Sequence, residues 1–508
     1  MEPREVEKLA RGTGITFVGS VAGNGLNYAA GVLISRLVGA ELVGVYFLSM
    51  VWVQLGSIVG RLGLADALLR FVPPALLMGN EREARRVTKL TLVTGGVAAL
   101  LISVASALIL PVIGRTLHVS STVMTYLSWF IWAIPAHVLF VLLLMVMQAR
   151  QRMSLVVVAR DLVQPVMLVL ITLLGIKFWG PDVGLIGGFA SSLLLGILVA
   201  AVVMGEPTRQ MPRVDGWAPL RPLLSFSLPI MVSDVSHYLY RWLDTLSISY
   251  FLDLAQVGVY NAALRTSLVI SLVSMAANAM YATMASGYYH TGETDKLQQG
   301  LALSVRWCLI LALPMVILLV IGGDWILLLW GPEFERGART MSLLAVAQLF
   351  GVPMLILGYT LLMCGRQNLE VLNTLVMLPI ILMLNVLMIP RLGMSGGATA
   401  ILGANLIGVA LRWVQVKRIL GIDAFDVRLL KPLTAAILTG FVGTALHALA
   451  EELWLDGPGS SPSSLTLAGC LLTLGLFVAG IFFGLLWVLG FEKEDRALRG
   501  LVATRTAL

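Results

Sequence analysis

The chain has 508 residues, of which 58% are hydrophobic and 12% charged, and its formal net charge is +7. A soluble surface takes a charged share of about 25%, so a soluble enzyme, a nucleic-acid-binding domain and a disordered scaffold are excluded. What remains is an all-α polytopic membrane protein, whose excess Lys and Arg belong in loops on the cytoplasmic side.

A hydrocarbon core about 30 Å thick needs about 20 apolar residues per helix. On that criterion the sequence predicts about 14 transmembrane helices. Met1 to Gly12 is polar and charged, and the apolar stretch behind it lacks a cleavage site, so it reads as a retained first span. The first six spans fall at about 13–35, 42–62, 88–112, 120–148, 155–178 and 182–205. Between the second and third, Leu64 to Arg86 is apolar, then predicted to kink at Pro73-Pro74, then basic at Arg82, Arg85 and Arg86. It reads either as an interfacial or re-entrant element or as an ordinary positive anchor. Glu206 to Pro222 is rich in proline and charge, as a linker between lobes should be. Six more spans follow at about 222–250, 256–284, 301–322, 341–364, 369–390 and 394–417, and two last ones at about 430–450 and 465–490. The Gly/Pro/Ser-rich segment Asp456 to Ser464 reads as a flexible external connection.

Placing both termini in the cytoplasm puts 27 Lys and Arg inside and 6 outside, with Arg241 and Arg265 left within spans. That asymmetry supports both the span count and the orientation. Cys308, Cys364 and Cys470 lie far apart in apolar segments, without CxxC or Cys/His spacing, so they read as buried apolar residues and no metal or other cofactor is expected.

The chain is internally duplicated. Ile34-Ser35 … Val43-Gly44-Val45-Tyr46 returns as Ile248-Ser249 … Val257-Gly258-Val259-Tyr260, 214 positions on. Gly79 with its charged cluster matches Gly292, Arg150-Gln151 matches Arg366-Gln367, and Gly184 matches Gly393. The expected organisation is a lobe of helices 1–6 (residues 1–215), a parallel lobe of helices 7–12 (216–420), and two extra helices with a cytoplasmic tail (421–508). An even repeat keeps both copies in one orientation, with substrate in a central cavity between them and access alternating as they rock.

Span 7 carries Asp234, His237, Arg241 and Asp244, spaced 3, 4 and 3, on one helical face. A charge at mid-membrane costs on the order of 3 kcal/mol, so the stripe must face water or protein. Two readings fit: it lines a hydrated cavity, or Arg241 pairs with Asp244 and Asp234 with His237 to lock helices together. Span 1, its counterpart, carries Ser20, Asn24, Asn27 and Gly31 on one face, either as cavity lining or as helix–helix contacts. Arg265, with Asn261 one turn before it, adds a second cation, and Asn278 lies deeper in the same span. His137, alone on an apolar helix, reads as a hydrogen-bonded core residue.

The run Leu37-Val38-Gly39 … Gly44-Val45-Tyr46, Gly63-Leu64 … Leu69-Arg70-Phe71-Val72 and Gly79-Asn80-Glu81-Arg82-Glu83-Ala84-Arg85-Arg86 resembles the N-terminal signature of polysaccharide flippases. These are the Wzx-type, O-antigen branch of the multidrug/oligosaccharidyl-lipid/polysaccharide exporter superfamily. The resemblance implies a plasma-membrane carrier, not an enzyme, that moves an undecaprenyl-pyrophosphate-linked oligosaccharide outward for cell-surface polysaccharides such as lipopolysaccharide. Partners would be the lipid-linked glycan, membrane lipids, and a polymerase and glycosyltransferases. On that reading Arg241 and Arg265 neutralise the pyrophosphate, since the guanidinium makes paired bonds and keeps its charge. Asn24, Asn27, Tyr238 and Tyr240, with His237 and Asn261, would meet the cargo. Asp234, Asp244 and His237 are candidates for ion coupling. Drug/cation antiporters and the lipid II flippase are relatives within the superfamily. Drug antiporters often use a span-1 carboxylate, and here none lies between Gly12 and Arg36. A membrane-embedded glycosyltransferase or ligase would need clustered carboxylates or a metal set, and the sequence displays neither.

Overall fold

A computed structural model describes residues 3–116, 120–209, 220–452 and 464–490. Residues 210–219, which hold most of the expected linker, residues 453–463, which hold most of the expected external connection, and residues beyond 490 lie outside the described residues, as do the side chains of Ser20 and Asn278.

The described chain is helical throughout. In order the helices are α1 (Pro3–Arg61), α2 (Leu64–Leu77), α3 (Glu81–Thr116), α4 (Ser121–Phe130), α5 (Ile134–Ala149) and α6 (Met153–Val157). A π-helical turn at Val158–Val163 leads into α7 (Gln164–Trp179), then α8 (Pro181–Arg209) and α9 (Leu220–Phe251). There follow α10 (Leu254–Ser267), α11 (Val269–Thr291), α12 (Thr294–Ile321), α13 (Gly323–Leu328), α14 (Ala338–Met363), α15 (Gln367–Leu392) and α16 (Met394–Leu420). The last two are α17 (Leu430–Ala450) and α18 (Ser464–Leu489).

Twelve stretches of the described chain are long and apolar enough to cross a membrane, which makes this a multi-pass membrane protein. Two places account for the difference from the sequence count. At 1.5 Å per residue a straight α1 would run about 90 Å, three times a membrane core. It breaks instead at Gly39 (φ 80°, ψ 170°), a conformation that a Cβ disfavours, into an inner arm and an outer arm. The other place is α9, whose ionisable stripe keeps it out of the apolar set. Past a left-handed Gly63, α2 runs through Pro73 and Pro74 to Leu77. The helix continues through the dipeptide at which a kink was expected, and it buries Leu64, Ala67, Leu68 and Val72.

The duplication is visible in the backbone. Left-handed residues occur at Gly79 and Gly292, at Gln151 and Gly365, and at Gly180 and Gly393, each pair 213 or 214 positions apart. This corrects two sequence matches: Gly365 is the partner of Gln151, and Gly180 the partner of Gly393.

Packing divides the chain into two compact units, residues 1–262 with 374–393, and residues 263–373 with 394–508. The units cut across the boundaries expected at 215 and 420, because α9 packs on α1 and α2. Within the first unit, α7 and α8 approach through glycine: a Cβ on Gly175 would stand 2.6 Å from Gly184 Cα, and one on Gly188 2.0 Å from Thr172 Oγ1. Close backbone approach of this kind is the usual means of association where lipid removes a hydrophobic drive. Tyr46, Phe130 and Phe189 add a ring cluster with centroids 5.3 to 6.5 Å apart.

In the second unit α14 and α16 are tied by Asn405 Nδ2 donating to Ala347 O at 2.8 Å. Asn373 and Gln415 exchange amide bonds of 2.8 Å between α15 and α16. Arg412, counted from the sequence as a loop cation, is instead buried in α16 and paired with Glu370. Arg306 is likewise buried, within α12. Arg241 and Arg265 are therefore not the only cations inside spanning helices. Cys308, Cys364 and Cys470 are buried free thiols, as expected.

Candidate functional site

The duplicated motif builds a reciprocal crossing in the first unit. A Cβ on Gly44, in the outer arm of α1, would lie 2.0 Å from Leu254 O and 3.0 Å from Gly258 N. A Cβ on Gly258, in α10, would lie 2.0 Å from Ala40 O and 3.0 Å from Gly44 N. Residues 40 and 44 thus contact 254 and 258, their own copies, by the same rule in both directions. Only glycine fits on either side.

Next to this crossing α9 distributes its polar residues over several surroundings. Asp244 is buried, and its Oδ2 accepts a hydrogen bond from the Tyr260 hydroxyl of α10. Its Oδ1 is buried with no side-chain partner among the described residues. Asn261 is fully buried beside Tyr260, donates to Val257 O at 2.9 Å, and leaves its Oδ1 buried without a partner among the described residues. Tyr238 is buried too, and its hydroxyl donates to Val51 O at 2.8 Å, which pins α9 to the outer arm of α1. Tyr240 is half-buried.

His237 and Arg241 are exposed. The His237 ring bonds back to Ser233 O through Nδ1 at 2.9 Å. Arg241 makes no ion pair among the described residues, so the locking pair with Asp244 does not form; Asp244 is turned toward α10 instead. On the inner arm of α1, Gly19 and Gly23 pack against Val157 and Asp161. Asn24 is exposed, and Asn27 is half-exposed with its amide donating to Gly23 O at 2.9 Å. Arg265 is half-buried in the part of α10 that belongs to the second unit.

Asp234 sits in a cluster that the sequence reading did not assemble. Half-buried on α9, it feels the charges of Arg61, Asp66 and His237. Arg61 ends α1, Asp66 starts α2, and the left-handed turn at Leu62-Gly63 folds them together. The same turn brings Gly63 so close to α9 that a Cβ there would stand 2.1 Å from Ser227 O. Arg61 Nε donates to Ser57 O at 3.3 Å, and the Ser57 hydroxyl lies 2.8 Å from His137 Nδ1. His137 is thus hydrogen-bonded, as expected, but it belongs to a polar chain through Ser57 to Arg61 and on to Asp234. Two charges bracketing a glycine turn between apolar helices, Arg61 and Asp66, were the available signal.

The arrangement combines an accessible cation, accessible amides, and two carboxylates, Asp244 buried and Asp234 half-buried. The one group of side chains among the described residues placed closely enough to hold a metal ion, Asp324, His447 and Glu451, lies in the second unit.

Comparison with known proteins gives the same fold. The sequence profile described as polysaccharide biosynthesis protein matches residues 9–286. A "probable low-salt glycan biosynthesis flippase", Agl15 of Haloferax volcanii, is 22% identical over 399 residues, covering 77% of this chain and 80% of its own. Among solved structures, the lipid II flippase MurJ in an inward closed conformation aligns over 92% of this chain and 98% of its own, with a TM-score of 0.73 at 14% identity. An inward-facing multidrug resistance MATE family transporter aligns over 78% and 94%, with a TM-score of 0.67 at 13% identity.

Proposed function

The chain belongs to the polysaccharide biosynthesis protein family, and from that premise we propose that it is a flippase for a polyprenyl-diphosphate-linked oligosaccharide. The accessible faces of α1 and α9 line the path of the polar head, and the lipid tail stays in the bilayer. Undecaprenyl pyrophosphate is the carrier we assign, with both termini of the protein cytoplasmic. Glycosyltransferases would supply the cargo and a polymerase would consume it.

The observation that carries this reading is Arg241. It stands exposed on α9, with no ion-pair partner among the described residues. A lone guanidinium at membrane depth is costly unless it meets water or an anion, and a diphosphate supplies two sets of oxygens for its planar fork. Asn24, Asn27 and His237 offer neighbouring donors and acceptors for sugar hydroxyls. Arg265 joins them in the proposal on its charge. Tyr238 and Asn261, both buried, act by holding helices and not by touching cargo.

Coupling rests on Asp234 and Asp244. A buried carboxylate with an unsatisfied oxygen is stabilised by taking up a proton or a metal cation. Asp244 meets that description, and Asp234 shares its surroundings with Asp66 under the positive charge of Arg61. Loading and release of a cation at these positions would bias the carrier between its two access states.

The test is transport of a defined undecaprenyl-pyrophosphate-linked glycan by the purified protein in proteoliposomes. Wild type should move the glycan to the opposite leaflet, and Arg241→Ala should not, while remaining folded and inserted. Normal transport by a folded Arg241→Ala variant removes the diphosphate assignment. Transport of cationic drugs, with no movement of glycan, would place the chain with the antiporters instead.

A further inference from the structure

Where α17 ends against the turn between α12 and α13, three ligating side chains converge from segments far apart in the chain. His447 stands in the last turn of α17, and Glu451 caps that helix one turn on, still in helical conformation, so the two share a face. Asp324 lies in the first turn of α13, just past the Gly322 at which α12 ends. Each residue offers one nitrogen or oxygen, and the three atoms lie within 4.8 Å of one another. The imidazole is held by packing. The indole of Trp325, itself 2% exposed, stacks on it with ring centroids 4.1 Å apart and planes 25° apart. Leu446 and Ala450 of α17 pack against the same apolar cluster as Trp325. The whole group lies within the second unit.

The spacing of Asp324 and His447 suits two ligands of one ion better than a hydrogen bond. Asp324 Oδ1 and His447 Nε2 face each other at 3.3 Å. Both atoms are buried, and neither makes a hydrogen bond among the described residues. An imidazolium that donates to a carboxylate closes to about 2.7–2.9 Å. Two ligand atoms, each about 2.1 Å from one tetrahedral ion, stand about 3.4 Å apart. Glu451 Oε2 lies 3.9 Å from His447 Nδ1, on an exposed side chain that can swing to close the set. Two carboxylates this near each other repel, and beside an apolar cluster that repulsion is poorly screened. A divalent cation cancels both charges.

We propose that Asp324, His447 and Glu451 bind one divalent transition-metal ion, zinc above all, with water in the remaining position. One imidazole with two carboxylates suits zinc, whereas magnesium and calcium take sets of oxygens. The ion clamps the end of α17 to the start of α13. On the orientation proposed above, with both termini cytoplasmic, this end of α17 faces outward, so the ion arrives from outside the cell. The site is independent of the transport reading, since none of its residues belongs to α1, α9 or α10.

The test uses the full-length protein in detergent micelles, stripped with chelator and freed of any purification tag. Zinc chloride is titrated, the bound ion is counted per chain by elemental analysis after desalting, and the unfolding temperature is followed in parallel. Wild type should hold about one ion per chain and gain about 2 °C or more, as expected of a ligand that binds only the folded state. Magnesium chloride at the same concentrations should do neither, and an equal gain with magnesium overturns the assignment to a transition metal. His447→Ala and Asp324→Asn should lose both the ion and the gain. Loss of a residue that merely supports a ligand costs about 10–100-fold in metal affinity, so Glu451→Gln should weaken binding by at least about tenfold. Its exposed position makes it the deciding variant if the other two do not fold. His290→Ala, which removes an exposed imidazole of α11, should keep the ion. No saturable zinc binding by wild type, or unchanged binding by Asp324→Asn and Glu451→Gln, overturns the proposal and leaves His447 bridging the two carboxylates through its own protons.

Discussion

The inner arm of α1 and the body of α9 hold the same place in the repeat but carry different chemistry. Both are followed by a sharp break, at Gly39 in one copy and at the turn before Leu254 in the other, and both then cross through a glycine. On α1 the polar positions are neutral, Asn24 and Asn27; on α9 they are Asp234, His237, Arg241 and Asp244. The duplicated architecture is therefore a property of backbone turns and close approaches, while charge has been placed on one copy alone. On the proposed function, the accessible charge for an anionic cargo lies on α9 at Arg241, while Asp244 of the same helix is taken up by packing against Tyr260.

That separation can be broken in graded steps. The largest effect should come from removing the charge itself: Arg241→Ala, with or without Arg265→Ala, should bring glycan export to background in a whole-cell or proteoliposome assay. Hydrogen bonds to charged groups contribute about 1.5–3 kcal/mol each, so Arg241→Asn alone should cost about tenfold or more in transport rate. Adding Asn27→Arg to Arg241→Asn, which moves the cation to the neutral copy, should restore part of it; no recovery would mean that the two faces do not serve one path.

The crossing comes next. Gly44→Val and Gly258→Val each drive a side chain into a backbone carbonyl, and overpacking of this kind costs about 1–3 kcal/mol. Because both changes strike the same contact, the two single variants should lower Tm by similar amounts and the double variant by less than their sum. Full additivity would contradict the reciprocal geometry.

Smaller effects should follow at the buried partners. Tyr260→Phe strips Asp244 of its donor and should destabilise by about 1–3 kcal/mol, whereas Asp244→Asn should fold and lose the dependence of transport on pH or cation gradient. Tyr238→Phe, which frees Val51 O, should cost only about 1 kcal/mol in thermal stability with transport unchanged. A large loss of transport there would return Tyr238 to the cargo path.

The sequence made the membrane class, the duplication and the polar faces legible because each is a one-dimensional signal: composition, offset and helical spacing. The stripe on α9 was read correctly as spacing, but its fate was not. Asp244 turns to Tyr260, and no periodicity within α9 can announce a partner on α10. Arg61 and Asp66 were hidden for the same reason, since their approach to Asp234 depends on a left-handed turn at Leu62, a residue whose type gives no warning of φ 52°. Arg412 looked like a loop cation because it lies close to the basic end of its helix. Only the facing Glu370, 42 positions away, shows that it is buried.

The crossing at Gly44 and Gly258 has one more consequence. Each side presents a carbonyl ridge and a glycine notch, and each notch receives the other's ridge, the arrangement of an isologous contact. A polypeptide of half this length bearing one Val-Gly-Val-Tyr motif would be self-complementary at that spot and would meet a second copy of itself there. The single chain holds the seam that such a homodimer would have, and within one chain the two sides are free to differ.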